Sequence, residues 1–371
     1  MADKNTTAAA APRRMSKRLQ SNLITYAVVI GFFVLMTVLE VTGILTNSLA
    51  GQLVPICAYV CMAVSLNLVV GISGELSLGH AGFMSVGAFS GFVAFSLVNG
   101  IVNNALLAYV IALVIAAVIA GVAGFVIGIP VMRLRGDYLA IVTLAFGEII
   151  KNILNNLYVG LDGRGLHFSL ADAKALGMQG GTLLINGPQG ATGITKMSTF
   201  AIGIVLVLIT VTVVLNLVNS RTGRAIMSVR DNRIAAESVG INVTKYRMIA
   251  FVVAAALAGA AGCFYAMGYS SIVPKKFDFN TSILVLVFVV LGGMGNVRGS
   301  IISAALLTVL PEMLRAISDW RMLIYAVVLI LVMIVSNNPT LRQFAGGLKS
   351  KFKRPVKSQD DAAEKGGEAD A

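Results

Sequence analysis

The sequence predicts an all-α fold: a polytopic helical membrane protein of about ten transmembrane helices, with both termini inside the cell. Composition is the first observation, because 57% of the residues are hydrophobic and only 12% are charged, whereas a soluble domain is about one quarter charged. The second is that apolar runs of roughly 18 residues or more, long enough to cross a bilayer, recur along the chain. The third is that the sequence lacks the alternating segments of about 10 residues that build a membrane β-barrel.

The chain begins with a basic, Ala-rich stretch, residues 1–21, which we expect to be a disordered cytoplasmic tail. Arg13 and Arg14 precede an apolar run that starts at Asn22 and ends at Leu45. This run is longer than the core of a secretion signal, about 7–15 residues, and no small-residue cleavage site follows it. It is therefore predicted to be an uncleaved first span.

Apolar runs define a transmembrane domain over residues 22–335, and the charged tail after it, residues 336–371, is expected to be solvated and disordered. The third span starts within a Gly- and Ser-rich stretch, residues 71–91, and ends at about residue 98. The other predicted spans cover about residues 23–45, 49–70, 105–130, 138–158, 198–218, 248–269, 281–291, 300–314 and 322–335.

Positive charge predicts the orientation of the spans. With the N-terminus inside, 21 of the 29 Lys and Arg residues fall in cytoplasmic segments, as the positive-inside rule expects. The tails supply much of this asymmetry: the internal loops alone give 9 inside against 8 outside, and the outer set includes Lys151 and Arg315 at predicted span ends. The long polar loop, residues 159–197, is thereby placed outside the cell, and the basic segment 219–247 in the cytoplasm.

Segment 219–247 is predicted to contain a short helix with defined ends. Asp231 or Asn232 can cap the start of this helix, and Gly240 suits its end. Arg233 and Glu237 have the i,i+4 spacing of a helical ion pair.

Two alanines at the centre of this helix, Ala235 and Ala236, predict a shallow surface over which a cleft of a partner protein could close. The simpler alternative is a solvated loop that anchors the positive side of the membrane. Such a loop would need no helix with defined ends, so we expect the segment to contact a partner.

The sequence contains no pattern of catalytic or metal-binding residues. His80 and His167 lie two spans apart, and neither has a nucleophile and a carboxylate at a recognisable spacing. No G-x-x-x-x-G-K-[ST] phosphate-binding loop occurs, so the chain is not expected to bind ATP by that motif. Cys57, Cys61 and Cys263 lie in apolar runs and are expected to be small packing residues. No catalytic residue, metal site or cofactor is therefore predicted.

Ionisable residues within spans are costly and usually face protein or a water-filled path. Glu40 and Glu312 lie near span ends, where they can reach interfacial water. Glu148 lies near the middle of the fifth predicted span, and Lys151, one turn further on, is placed to pair with it. Helix packing and a role in a translocation path are both open interpretations of this pair.

Two Gly-rich interruptions complete the candidate residues. In residues 71–91, small side chains recur at helical spacing, which lets membrane helices approach closely, and Gly-interrupted helices also build binding sites in transporters. Ser77 and His80, at the start of the third span, are candidates for a gate or path, although a lone membrane histidine is more often a packing residue. The second interruption contributes Gly292, Gly293 and Gly295. Packing is the role we expect for most of these glycines.

Several motifs, in order along the chain, resemble one transporter family. They are GISGELSLGHAGFMSVGAF, RLRGDYLAIVTLAFGEIIKNI, GPQGATGI, GRAIMSVRDNRIAAESVGINVTKYRMIAFVVAAALAGAAG and VVLGGMGNVRGSIISAALLTVLPEMLR. Through these motifs, residues 71–335 are similar to the LivM-type permeases of branched-chain amino acid ABC importers. One departure is a longer outer loop, in which residues 161–181 look inserted before GPQGATGI.

The resemblance implies a multi-pass protein of the bacterial plasma membrane that moves branched-chain or other neutral amino acids. It implies a heterodimer with a second permease, two cytoplasmic ABC ATPases that hydrolyse the ATP, an extracytoplasmic substrate-binding protein, and contact with membrane lipid but not with nucleic acid. The permease itself would not be an enzyme. Residues 221–240 would dock on an ATPase, and the coupling residues so implied are Arg221, Gly223, Arg224, Arg230, Asp231, Ala235, Ala236, Glu237 and Gly240.

Four alternatives remain at this point. A urea or amide ABC importer uses a related permease. An ion-coupled secondary transporter would need no ATPase, and Glu148 with Lys151 would be its ion site. A membrane-embedded enzyme is disfavoured because the sequence has no catalytic cluster, and a passive channel would conduct without any ATPase partner.

Overall fold

The computed structural model describes residues 17–43, 47–102, 104–134, 136–163, 165–178, 181–314 and 320–337, so most of both predicted tails lies outside the described residues. The described part is mainly helical. Its α-helices are α1 (Lys17–Val41), α2 (Asn47–Asn67), α3 (His80–Asn99), α4 (Ala105–Val131), α5 (Asp137–Asn155), α6 (Phe200–Asn219), α7 (Arg221–Asp231), α8 (Arg233–Ser238), α9 (Val243–Ala266), α10 (Phe279–Gly292), α11 (Val297–Met313) and α12 (Arg321–Asn337).

Seven of the described helices are long and apolar enough to cross a membrane, namely α1, α2, α3, α4, α5, α6 and α9. The last three predicted spans coincide with α10, α11 and α12, which have 14, 17 and 17 residues. These helices are shorter than the roughly 20 residues that span a bilayer. The prediction of a polytopic helical membrane protein is confirmed, whereas the count of about ten spans and their orientation stay predictions.

Small residues let α3, α4 and α9 pack together as the centre of the helical bundle. A Cβ atom added at Gly87 of α3 would overlap the backbone of Gly259 on α9, and one added at Gly262 would overlap the backbone of Met84. The packing role predicted for glycines of the stretch 71–91 is confirmed at these contacts. The three cysteines are also buried and form no disulfide, as predicted.

The chain is broken between α2 and α3, over residues 68–79, which we call the α2–α3 break. A π-helical turn, Leu68–Ile72, continues α2, and residues 73–79 are then non-helical until α3 begins. Thr143 of α5 supports this segment, because the backbone N–H of Leu78 donates to its Oγ1 at 3.1 Å. A Cβ at Gly79 would overlap the Thr143 carbonyl group, so only glycine fits there.

The loop at residues 159–197 supplies most of a small sheet, a feature that the prediction of a helical membrane protein did not include. The sheet is antiparallel with the strand order β2-β1-β3-β4-β5. Its strands have only two to five residues, too few for a clear alternating sequence pattern, and the last strand comes from a distant part of the chain. The strands are β1 (Tyr158–Asp162), β2 (Gly165–Ser169), β3 (Thr182–Asn186), β4 (Ala191–Thr192) and β5 (Ser271–Ile272).

The residues that look inserted, 161–181, form the edge of this sheet. Val159 of β1 is paired with Ile185 of β3 on one side and with Phe168 of β2 on the other. His167 of β2 lies 3.0 Å from the Asp162 carboxylate of β1, measured from Nε2 to Oδ1. Its strand β2 is therefore the edge strand of the sheet and pairs with β1. That residues 161–181 are an insertion stays a prediction.

The sheet and the basic segment 219–247 lie at opposite ends of the helical bundle. α6 begins shortly after β4 and leads directly into α7, whereas α9 begins after α8 and leads into β5. A helix of 20 residues, the length of α6, is about 30 Å long. The two features therefore lie at opposite ends of α6, and their placement on different sides of a membrane stays a prediction.

Of a second unit of the chain, the structure describes residues 320–337, which contain α12. This helix has no charged residue after Arg321. Its apolar sequence coincides with the last predicted span.

Candidate functional site

The basic segment forms a helical elbow made of α7 and α8. Ser220 caps α7, because its Oγ accepts from the Gly223 N–H at 3.1 Å. Gly223 is buried against the carbonyl groups of Leu217 and Val218 at the end of α6, where a Cβ would collide with them. α7 therefore leaves α6 at a sharp corner that requires glycine.

The ends of α8 were predicted from sequence and are confirmed. Asn232 is the cap, since its Oδ1 accepts from the Ala235 N–H at 3.0 Å. Gly240 has a φ of +83°, the left-handed conformation that ends a helix. Arg233 Nε donates to Glu237 Oε1 at 3.0 Å, as the i,i+4 spacing predicted.

The prediction that both central alanines form an outer surface was wrong for Ala236. Its side chain is buried with Val229 of α7 and Val243 of α9, and Ile241 packs against this cluster. The i,i+1 spacing of the two alanines turns Ala236 inward and leaves Ala235 exposed. The cluster attaches the elbow to the first turn of α9.

The exposed apolar residues of this region are instead one residue of α8 and the residue that follows its last turn. Ile234 is 80% exposed and Val239 is 74% exposed. The sequence prediction included neither residue, because it rested on small residues rather than on apolar residues outside the predicted spans. Of the predicted coupling residues, Gly223 and Ala236 are buried; those that are exposed are Arg221, Arg224, Arg230, Asp231, Ala235, Glu237 and Gly240.

Arg230 joins the elbow to the α2–α3 break. Its Nη1 donates to the Gly71 carbonyl oxygen at 3.0 Å, and its Nη2 donates to Asp231 Oδ1 at 2.8 Å. Gly74 has a φ of +75°, and a Cβ there would lie 2.6 Å from Arg230 Cγ. The arginine therefore fits against a stretch of backbone that only glycine can form.

A second and more buried link joins the break to α9. Arg247 Nη2 forms an ion pair with Glu75 Oε2, and the side chains are 5% and 16% exposed, respectively. Sequence reasoning had placed Arg247 in the cytoplasmic segment and had not selected Glu75. A carboxylate within a Gly-rich interruption between two spans was the available signal, because a charge at such a place needs a partner.

The turn between α10 and α11 packs against the same break. The Gly295 N–H donates to Asn67 Oδ1 at 2.8 Å, and a Cβ at Gly71 would overlap the Gly295 backbone. Gly293 and Gly295 have φ values of +89° and +80°, and Gly292 packs directly on the following helix. These three candidate glycines thus form a tight turn that closes over the break.

His80 and Ser77 lie inside the bundle. His80 Nε2 lies 2.8 Å from Ser65 Oγ, so the histidine connects α3 with α2. Ser77 is buried, and its Oγ has no hydrogen-bond partner among the described residues. The contacts give His80 a packing role, and participation of either residue in a path stays a prediction.

The Glu148–Lys151 ion pair predicted on α5 is present. The side chain of Lys151 is 21% exposed and that of Glu148 is 35% exposed, so the pair is only partly covered by the described residues. No cluster of three or more metal-ligating side chains occurs among the residues that the structure describes.

A known protein family matches most of this chain. The profile of a family described as the permease component of the branched-chain amino acid transport system matches residues 48–334. The chain belongs to this permease family. The matched region contains the elbow, the α2–α3 break and the α10–α11 turn, whereas α1 precedes it.

The chain is also similar in sequence to individual branched-chain amino acid transport permeases. The chain is 35% identical over 286 residues to the high-affinity branched-chain amino acid transport permease LivM of Salmonella typhimurium and to LivM of Escherichia coli K12, which covers 74% of this chain and 66% of either relative. It therefore spans just under two thirds of their length. It is 25% identical to the permease BraD of Pseudomonas aeruginosa over 68% of this chain and 80% of that relative. No solved structure matches the chain.

Proposed function

We propose that this chain is the permease subunit of an ATP-driven importer in the bacterial plasma membrane. The transported substrates would be branched-chain or other neutral amino acids. The subunit would pair with a second permease, receive substrate from an extracytoplasmic binding protein, and be driven by two cytoplasmic ATPases. Family membership supports the permease role, and the relatives' names support the substrate class.

The proposed coupling mechanism rests on the surface of the α7–α8 elbow. It presents exposed apolar residues, Ile234 and Val239, at the end of the bundle away from the sheet. Apolar anchors of this kind, bordered by charged residues, are typical of docking surfaces. The end that carries them is the predicted cytoplasmic side, where an ATPase would bind.

Movement of the elbow would reach the membrane core through two arginines. A displaced ATPase would shift α8, and the cluster around Ala236 would carry α9 with it. Arg230 and Arg247 would pass the displacement to Gly71 and Glu75 in the α2–α3 break. Because the break and the α10–α11 turn pack on each other, a shift of one requires a change in the other, which could open the bundle alternately to each side.

The energy source is tested with the complete importer reconstituted in vesicles. We expect amino acid uptake to require ATP and loaded binding protein, and to continue when ionophores collapse ion gradients. Uptake that survives ATP depletion but stops with the ionophore would reject the proposal in favour of an ion-coupled transporter. Uptake of urea instead of amino acids would reject the proposed substrate class.

The docking surface is tested by Ile234→Glu, which places a carboxylate on the exposed face of α8. Because the native side chain is 80% exposed, folding should be little affected, while desolvating a carboxylate against an ATPase is costly. We expect the ATPase subunits to dissociate from the purified membrane subunits and uptake to fall at least tenfold.

Thr244→Glu is the matched control for this variant. Thr244 is exposed in the first turn of α9, where the helix dipole tolerates a carboxylate. It should leave ATPase binding intact. If Ile234→Glu also retains its ATPases and transports normally, the elbow is not the docking surface.

A further inference from the structure

At the sheet end of the helical bundle, a cavity of about 440 Å³ opens where α9 leads into β5. Two lysines and two tyrosines contribute to its lining. The residues that line it are Tyr265, Tyr269, Ser271, Ile272, Val273, Lys275 and Lys276.

The two lysines give this cavity a positive charge. Lys276 Nζ lies 4.8 Å from the ring centroid of Tyr269 and 5.7 Å from that of Tyr265, a cation–π arrangement that holds the ammonium group over the cavity. Within the described residues, neither Lys275 nor Lys276 forms an ion pair with a carboxylate. The nearby Asp278 is used as the cap of α10, where its Oδ1 accepts from the Thr281 N–H at 3.0 Å.

A row of aromatic rings runs from the cavity into the bundle. The ring centroids of Tyr269 and Tyr265 are 4.9 Å apart, those of Tyr265 and Tyr59 are 6.0 Å apart, and those of Tyr59 and Phe288 are 6.1 Å apart. The row therefore connects α9 with α2 and α10. Tyrosine offers an apolar face and a hydroxyl group together, which suits a ligand with an apolar part and a polar part.

We propose that this cavity is the site where the permease first receives the transported amino acid. Lys275 and Lys276 bind its carboxylate, and the rings of Tyr265 and Tyr269 pack against its apolar side chain. The inference rests on the proposed import function, which makes the sheet end of the bundle the receiving side. The site would also distinguish between substrates, because two ammonium groups with no carboxylate partner among the described residues suit a carboxylate better than an uncharged amide such as urea.

The proposal is tested in the complete importer with saturating, ligand-loaded binding protein. The double variant Lys275→Met/Lys276→Met should lower the number of amino acids transported per ATP hydrolysed by at least about tenfold, because losing one of its two charge-assisted contacts alone would account for roughly that factor. The concentration of binding protein that half-saturates ATPase stimulation should not change. Lys275→Arg/Lys276→Arg retains both charges and should restore most of the transport.

Lys174→Met/Lys196→Met is the matched control, because both lysines are exposed at the same end of the bundle. It should transport like the wild type. Unchanged transport per ATP in Lys275→Met/Lys276→Met would overturn the proposal. So would a rise in the half-saturating concentration of binding protein with coupling intact, because the lysines would then dock that protein. A wild-type importer without ATP-dependent uptake would instead reject the proposed function itself.

Discussion

The buried ion pair between Glu75 and Arg247 supports the sharpest prediction. Glu75→Ala removes the carboxylate and leaves an arginine that is only 5% exposed without its counter-charge. Removing one partner of a buried pair costs about 3–5 kcal/mol. Because Glu75 itself is 16% exposed, we expect the lower end of that range, about 3 kcal/mol, which is roughly a 100-fold change in the folded-to-unfolded ratio.

Replacing both charges separates stability from coupling. Glu75→Gln/Arg247→Met contains no unpaired buried charge, so its stability should return to within about 1–2 kcal/mol of the wild type. The link from the α2–α3 break to α9 is still missing in this variant. We therefore expect a stable protein whose importer hydrolyses ATP but transports several-fold less amino acid per ATP.

Stability can be followed by thermal unfolding in detergent with a fluorogenic maleimide, since all three cysteines are buried and free. The single variant should unfold about 6–12 °C below the wild type, taking about 2–4 °C per kcal/mol. Glu148→Ala is the control, because its pair with Lys151 is partly exposed and should contribute at most about 1 kcal/mol. A Glu75→Ala variant that melts with the wild type, or a double variant no more stable than the single one, would refute the reasoning.

Two further predictions concern packing and capping. Gly87→Val should destabilise the bundle by about 3 kcal/mol, the upper end of the usual cost of overpacking, because its side chain would overlap the Gly259 backbone. Gly51→Ala meets no atom within 4 Å and should melt no lower than the wild type, and equal melting of both variants would contradict the close approach. Asn232→Ala removes the cap of α8 and should cost about 1 kcal/mol locally, seen as faster hydrogen exchange at Ala235; unchanged exchange there would show that the cap is not needed.

The two arginines contact the α2–α3 break in different ways. Arg230 of the elbow donates to a backbone carbonyl group and is 38% exposed, whereas Arg247 of α9 pairs with a carboxylate and is 5% exposed. Under the proposed mechanism, a displaced ATPase would therefore act on the break near the surface, through α7, and in the interior, through α9.

The sequence alone determined the helical membrane class, most helix positions and the ends of α8. These features depend on local information: the length of apolar runs, the cap at Asn232, and the glycine at position 240. The Glu148–Lys151 and Arg233–Glu237 pairs were predictable for the same reason, because residues three or four apart on a helix are neighbours.

Only the tertiary structure decided which residues meet across the chain. Glu75 and Arg247 are far apart in sequence, and no periodicity links them; their pairing follows from how the α2–α3 break lies against α9. The inward direction of Ala236 depended on a cluster that α7 and α9 complete. The sheet forms only because β5 pairs with β4, although the helices α6 to α9 separate the two strands along the chain. In each case the contact depends on how separate elements pack together, so the local sequence pattern did not indicate it.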